Sequence, residues 1–248
     1  MGRRRREDGL AGLLLLALLL VFFADALRGG RVLSGADLLF ATPFFSAEAP
    51  PGFTAPANEL LFDPVYQFAP WRRFACAALR AGTLPLWNPY SLCGTPFVAT
   101  LQSAVFDPVN LAACAAPFEP GVAWSAIVRL WIAGFGTYLL LRRYDAGALA
   151  SLVSATAFML CGFLVVWLEH PHANVAVWLP ALVLLDERLV AAPRPRARDV
   201  ALLGGAIGLV LLGGHVETAA HVLALVAIYH VVRGRQRGRG VRAPSGVA

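Results

Sequence analysis

Long apolar runs alternate along the chain with short, arginine-rich connectors. A helix crossing a bilayer needs about 20 mostly apolar residues. Six runs approach that length: residues 9–27, 122–141, 149–168, 175–192, 200–213 and 217–232. The last two are short and also suit a re-entrant pair. Gly204, Gly205, Gly208, Gly213 and Gly214 in that stretch fit close helix packing. The pattern predicts an all-α integral membrane protein with about six transmembrane helices.

Composition agrees. Of 248 residues, 58% are hydrophobic and 15% charged, against about a quarter charged in ordinary soluble domains. The net charge of +6 comes from 21 basic residues, all arginine. Because most of them flank apolar runs, they carry topological information and give no case for a nucleic-acid partner. With the N-terminus inside and alternating spans, 14 arginines fall inside: Arg3 to Arg6, Arg142, Arg143, Arg194, Arg196, Arg198, Arg233, Arg235, Arg237, Arg239 and Arg242. Only Arg28, Arg31, Arg72, Arg73 and Arg80 fall outside, in one long loop where the rule weakens. Four parts follow: a basic N-terminus with the first span (1–27), an extracytoplasmic loop (28–121), five further spans (122–232), and a basic cytoplasmic tail (233–248) expected to be disordered. The first run is too long for a typical signal core and lacks a clear small-residue cleavage site before Asp25, so it reads as an uncleaved anchor.

Crossing a bilayer does not require the loop, so function is expected there. Pro70 suits a first helical residue and Gly82 a stop. Between them Trp71, Phe74, Ala75, Ala78 and Leu79 share one side, with Arg73 and Arg80 opposite. This predicts a short helix lying in the membrane interface, or equally one packed on the protein's own spans. Pro85, Pro89, Pro96 and Pro108 fix turns, while Trp87 and Tyr90 suit headgroup depth. Cys76, Cys93, Cys114 and Cys161 show no CxxC spacing; Cys76 and Cys93 could pair in an exported loop, or remain free thiols.

Polar residues near the apolar runs add candidates. Glu169, His170 and His172 follow the third run, and His215, Glu217 and His221 open the last, Glu217 and His221 sharing a helix face. No recognised metal-ligand spacing links them, so they read as a structural or substrate-contacting cluster. Arg129, in the middle of the second run, calls for a lipid phosphate or an internal acid. Asp186, Glu187 and Arg188 read as an interfacial charge set. Asp63 and Asp107, each before a proline, are also natural turn residues.

The segment Asp63 to Gln67, the following Pro70-Trp71, the stretch LPLWNPYSLCGTP from Leu84 to Pro96, and Gln102-Ser103 through Pro108-Val109-Asn110 resemble the YfhO-like bacterial membrane proteins of the GT-C glycosyltransferase superfamily. Ala176 to Pro180 and Gly213 to Ala219 share the likeness. It covers the N-terminal portion of a family whose members are usually longer. The resemblance implies a bacterial inner-membrane transferase moving a sugar from a polyprenyl-phosphate donor to a cell-envelope acceptor on the extracytoplasmic side; the arginine count with an even number of spans puts both termini in the cytoplasm. The resemblance also implies an acid of the first outer loop at the reacting centre: Asp63 matches best and Asp37 competes. A carboxylate there can act as general base or hold a divalent cation. By charge and side-chain type, Arg72, Arg73 and Arg80 would attract the carrier's phosphates, and Trp87, Asn88 and Tyr90 would shape the sugar or acceptor site. Gln67, Gln102, His170, His215 and Glu217 complete the candidate substrate-binding set. Two other readings stand beside this one: a carrier or flippase for a lipid-linked substrate, with Arg129 and the His/Glu cluster lining its path, and a non-catalytic assembly module whose membrane partner supplies missing spans.

Overall fold

Helices form where the apolar runs lie, and turn residues divide them. In this computed structural model, which describes residues 2–29 and 31–241, α1 (Gly2–Phe22) and the short α2 (Ala24–Leu27) carry the first run. Three short 3-10 turns lead to a π-helical turn, Pro64–Phe68, which runs into α3 (Ala69–Arg80). A ribbon pairs β1 (Trp87–Asn88) antiparallel with β2 (Thr95–Pro96), Trp87 opposite Pro96. Then come α4 (Pro108–Ala113), α5 (Phe118–Arg143), α6 (Ala148–Met159), α7 (Gly162–Val166), α8 (Pro171–Ala176), α9 (Leu179–Ala191), α10 (Ala197–Leu212) and α11 (Val216–Val241).

Three stretches among the described residues are long and apolar enough to cross a membrane: Phe118–Arg143, Ala148–Val166 and Val216–Arg237. The second bends where Cys161 takes an extended conformation between α6 and α7. The fourth predicted run is likewise divided, its first residues falling in α8 and Pro180 opening α9. Proline suits the first helical turn, where its missing N–H would have no partner.

The central helix is α5, packed against α1, α4, α6 and α9. Its Ile127, Leu130 and Ala133 are fully buried, against Leu15 and Leu19 of α1 and Met159 of α6. A second apolar cluster joins Leu182 of α9, Val210 of α10 and Val222 and Val226 of α11. Large apolar side chains remain exposed on the outer helix faces, among them Leu13, Val21, Leu149, Val153 and Ile228. Such an exposed apolar girdle is costly in water and natural in lipid.

Several expectations are corrected. Of the glycines expected to pack closely, Gly204, Gly205 and Gly208 face open space, while Gly213 and Gly214 are packed, a Cβ at Gly213 lying 2.7 Å from Val175. Close approach also occurs at Gly134 of α5, where a Cβ would lie 2.6 Å from the Met159 sulfur. On its apolar side α3 packs on its own loop, Trp71, Phe74 and Leu79 meeting Phe97, Val98 and Val105. Nor is the basic tail disordered as far as Val241, because α11 continues through it. There Arg233 and Arg237 bind Glu187 at 3.1 and 2.8 Å, anchoring the helix to α9. Residues 242–248, with Arg242, and the side chains of Arg3 and Arg239 lie outside the described residues.

The disulfide also differs. Cys76 bonds Cys114, while Cys93 is exposed and free. The arginine at the end of α3 explains the pairing, since Arg80 donates to the Cys114 carbonyl at 2.8 Å and to that of Ala116, docking α3 beside α4. Closing a loop of 38 residues stabilises by about 4 kcal/mol in the chain-entropy account. Cys114→Ser is therefore expected to lower the melting temperature of the purified protein markedly, and Cys93→Ser to leave it unchanged. Equal melting of the two variants would contradict the assignment.

Candidate functional site

The π-helical turn sets Asp63 on the exposed side of the loop and directs the residues after it inward. Phe68 meets His170 edge-on at 5.7 Å between ring centres, and the Gln67 amide donates to Gln102 at 3.4 Å. The segment containing Gln102 is in turn seated on Gly214, whose φ of +89° and approach to the Leu101 and Gln102 carbonyls leave no room for a side chain. Asp63, Gln67, Gln102, His170 and His215, distant in sequence, thereby reach one end of the helix bundle.

Three histidines meet there. His172 stacks on His215 at 3.6 Å between ring centres, and Trp167 lies between His170 and His172 at 4.7 and 4.4 Å. His215 Nδ1 accepts from the Thr218 backbone N–H at 3.1 Å, which places the ring proton on Nε2. Burial, then the neighbouring His215 and His170, push His172 down to about 4. His170 and His215 are also lowered by burial, with Asp63 opposing at the first and Glu217 at the second. The cluster is therefore neutral at neutral pH.

Glu169 and Arg72 form the other half of the site. Burial raises the Glu169 carboxyl to about 7, against the pull of Arg72. The Arg72 guanidinium is itself lowered by burial, while Glu169 and Asp107 hold it charged. An acid poised near neutrality beside a buried cation is suited to proton transfer.

Arg72, Arg73 and Arg80 line one cavity of about 190 Å³, with Ala113, Ala116 and Gly121 on its wall. Those three small residues also border an apolar groove of about 350 Å³ that runs beside Trp124, Val128 and Ile132 of α5 to Trp178. Arg73 is already engaged, pairing with Glu119 at 2.8 Å and lying 3.7 Å over the Phe118 ring. Small cavities on the other side of Arg72 reach Glu169, Gln102 and Pro64.

Other candidates fall elsewhere. The Asp37 carboxylate accepts from Ala57 N at 2.6 Å and clamps the loop. Asn88 is buried and closes a turn, accepting from Tyr90 N and donating to Ser91, both at 3.0 Å. Trp87 covers Gly94, where a Cβ would lie 2.5 Å from the indole nitrogen, and Tyr90 is exposed with its ring against Phe74. Glu217 and His221 are exposed on α11. Arg129 takes the internal acid: it donates to Asp107 at 3.1 Å and Asn110 at 2.6 Å, and lines neither the basic cavity nor the groove. Asp107 both caps α4 and neutralises Arg129. Among the described residues no three His, Cys, Asp or Glu side chains converge as metal ligands.

The sequence reads Glu169 and His172 as part of a structural or substrate-contacting cluster but does not set them among the candidate site residues. The available signal was an acid and two histidines directly after an apolar run, a costly placement that asks for partners.

The two raised and lowered groups give opposite pH effects. Glu169, about 7 when folded, contributes stability that is present below its unfolded value near 4.5 and is lost as pH rises through 7. His172, about 4 when folded, contributes stability that is present above 6.5 and is lost as pH falls through 4. Melting curves across pH 4–8 are expected to lose their alkaline-side decline in Glu169→Gln and their acid-side decline in His172→Phe. Unaltered profiles would contradict these environments.

No family model, curated protein or solved structure matches this chain.

Proposed function

We propose that this chain is a membrane glycosyltransferase, or the N-terminal module of one, that moves a sugar from a polyprenyl-phosphate donor to a cell-envelope acceptor. In this reading it sits in a bacterial inner membrane with both termini cytoplasmic. Its six spans are residues 9–27, 122–141, 149–168, 175–192, 200–213 and 217–232, which leave Glu169, His170, His172 and His215 in the connectors. The observation that supports it is a basic cavity that shares Ala113, Ala116 and Gly121 with an apolar groove. A phosphate would sit among Arg72, Arg73 and Arg80, and the isoprenoid tail would follow α5.

Asp63 accepts the proton of the acceptor hydroxyl, whose oxygen attacks the anomeric carbon as the carbon–oxygen bond to phosphate breaks. The leaving phosphate keeps the electron pair, and Arg72 balances its charge. Glu169, part-protonated near neutrality, can return a proton to that phosphate. Gln67, Gln102, His170 and His215 hold the sugar between these groups, with Glu217 at the rim.

The experiment is transfer from a lipid-linked sugar by the full chain in vesicles. Asp63→Asn is expected to lower turnover about 100-fold or more with donor binding retained, as for loss of a general base. Transfer at the wild-type rate would remove Asp63 from the mechanism. Movement of the donor across the bilayer with no new bond to the sugar would replace the reading with that of a carrier.

A further inference from the structure

At the other end of α5 the chain builds a second cavity. Its helix of 26 residues separates the two ends by about 39 Å at 1.5 Å per residue. The cavity encloses about 690 Å³ between the start of α1, the ends of α5 and α9, and the connector into α10. Six arginines line it: Arg4, Arg142, Arg143, Arg188, Arg194 and Arg196. Asp8 and Asp199 are the acids on the same wall, leaving a net charge of +4.

These arginines divide into two groups. Arg142 is fixed, bound to Glu7 at 3.1 Å, Asp8 at 3.6 Å and the Ala146 carbonyl at 3.0 Å. Arg4 is tied to the Arg142 carbonyl and, at 3.8 Å, to Asp145. Arg143, Arg188, Arg194 and Arg196 are exposed and form no ion pair among the described residues. Pro193 and Pro195 stiffen the connector, and Arg196 is extended, with φ −85° and ψ 144°. Arg194 and Arg196, on either side of Pro195, both line the cavity. Leu139 and Leu184 supply an apolar wall.

We infer that this cavity is a binding site for an anionic lipid headgroup carrying two phosphates. Four arginines that form no ion pair among the described residues, gathered around one cavity, call for an anion, and guanidinium groups match phosphate oxygens in pairs. The volume exceeds what one phosphate fills. The leucine wall, continuous with apolar helices, suits the start of an acyl chain and favours a lipid over a free phosphate. Basic residues serving topology alone would not need to converge.

The test uses the full chain purified from vesicles of phosphatidylcholine with a minor fraction of cardiolipin, with retained lipid counted by native mass spectrometry. Wild type is expected to retain the two-phosphate lipid in preference to phosphatidylcholine, and 0.5 M salt to weaken retention. The triple variant Arg188→Gln, Arg194→Gln, Arg196→Gln is expected to retain it at least tenfold less. A charge-matched triple that does not line the cavity, Arg5→Gln, Arg6→Gln, Arg198→Gln, is expected to retain it as wild type does. Equal retention by both triples, equal loss in both, or displacement of the lipid from wild type by micromolar inorganic pyrophosphate would overturn the inference.

Discussion

Asp107→Ala is expected to destabilise the folded protein by about 3–5 kcal/mol, enough to abolish recovery of a monodisperse preparation, because it leaves a buried charge without its partner. Arg129 and Asp107 are each 1% exposed and 3.1 Å apart. The carboxylate has a second task, accepting from Asn110 N at 2.8 Å at the start of α4, and loss of such a cap costs about 1 kcal/mol more. Asp107→Asn keeps an acceptor for the cap while removing the charge, so its effect falls between alanine and wild type. The double variant Asp107→Leu, Arg129→Met is expected to recover much of the loss, since an apolar pair of similar volume can replace a buried ion pair. Thermal unfolding of the four proteins in one detergent decides the matter. If Asp107→Ala melts with wild type, the pair does not hold α4 to α5.

Arg72→Gln is expected to weaken donor binding about 10- to 100-fold, the worth of one charge-assisted hydrogen bond of about 1.5–3 kcal/mol. The loss should appear as a raised KM. A second signature separates this role from a structural one. Arg72 is the charge that opposes the burial of Glu169, so its removal moves the Glu169 titration further up and carries the pH–rate profile with it. Arg73→Gln and Arg80→Gln should weaken binding less. Their guanidinium groups are already held by Glu119 and by the Cys114 and Ala116 carbonyls. A larger loss in Arg73→Gln than in Arg72→Gln would reverse the assignment of the phosphate ligand.

Much of the helical framework was legible in one dimension. Apolar runs of membrane-spanning length mark α5, the α6–α7 stretch and α11, because burying or lipid-facing side chains must recur along the helix itself. Pro70 and Gly82 bracket α3 for a similarly local reason: one lacks an N–H that the first turn leaves unpaired, and the other takes φ of +73° just past the helix end.

The partners were not legible in that way. Cys76 bonds Cys114 rather than Cys93, since the docking of α3 on α4 sets which sulfurs meet. Arg129 pairs with Asp107, and Arg72 shares small cavities with Glu169 while Arg73 and Arg80 take other contacts. His172 and His215 stack across 43 residues of chain. Spacing along a helix or strand is a property of the sequence, set by local backbone geometry. Which distant side chains share a low-dielectric space is fixed by packing, and only there do an ordinary glutamate and an ordinary histidine acquire the shifted proton affinities that make a site.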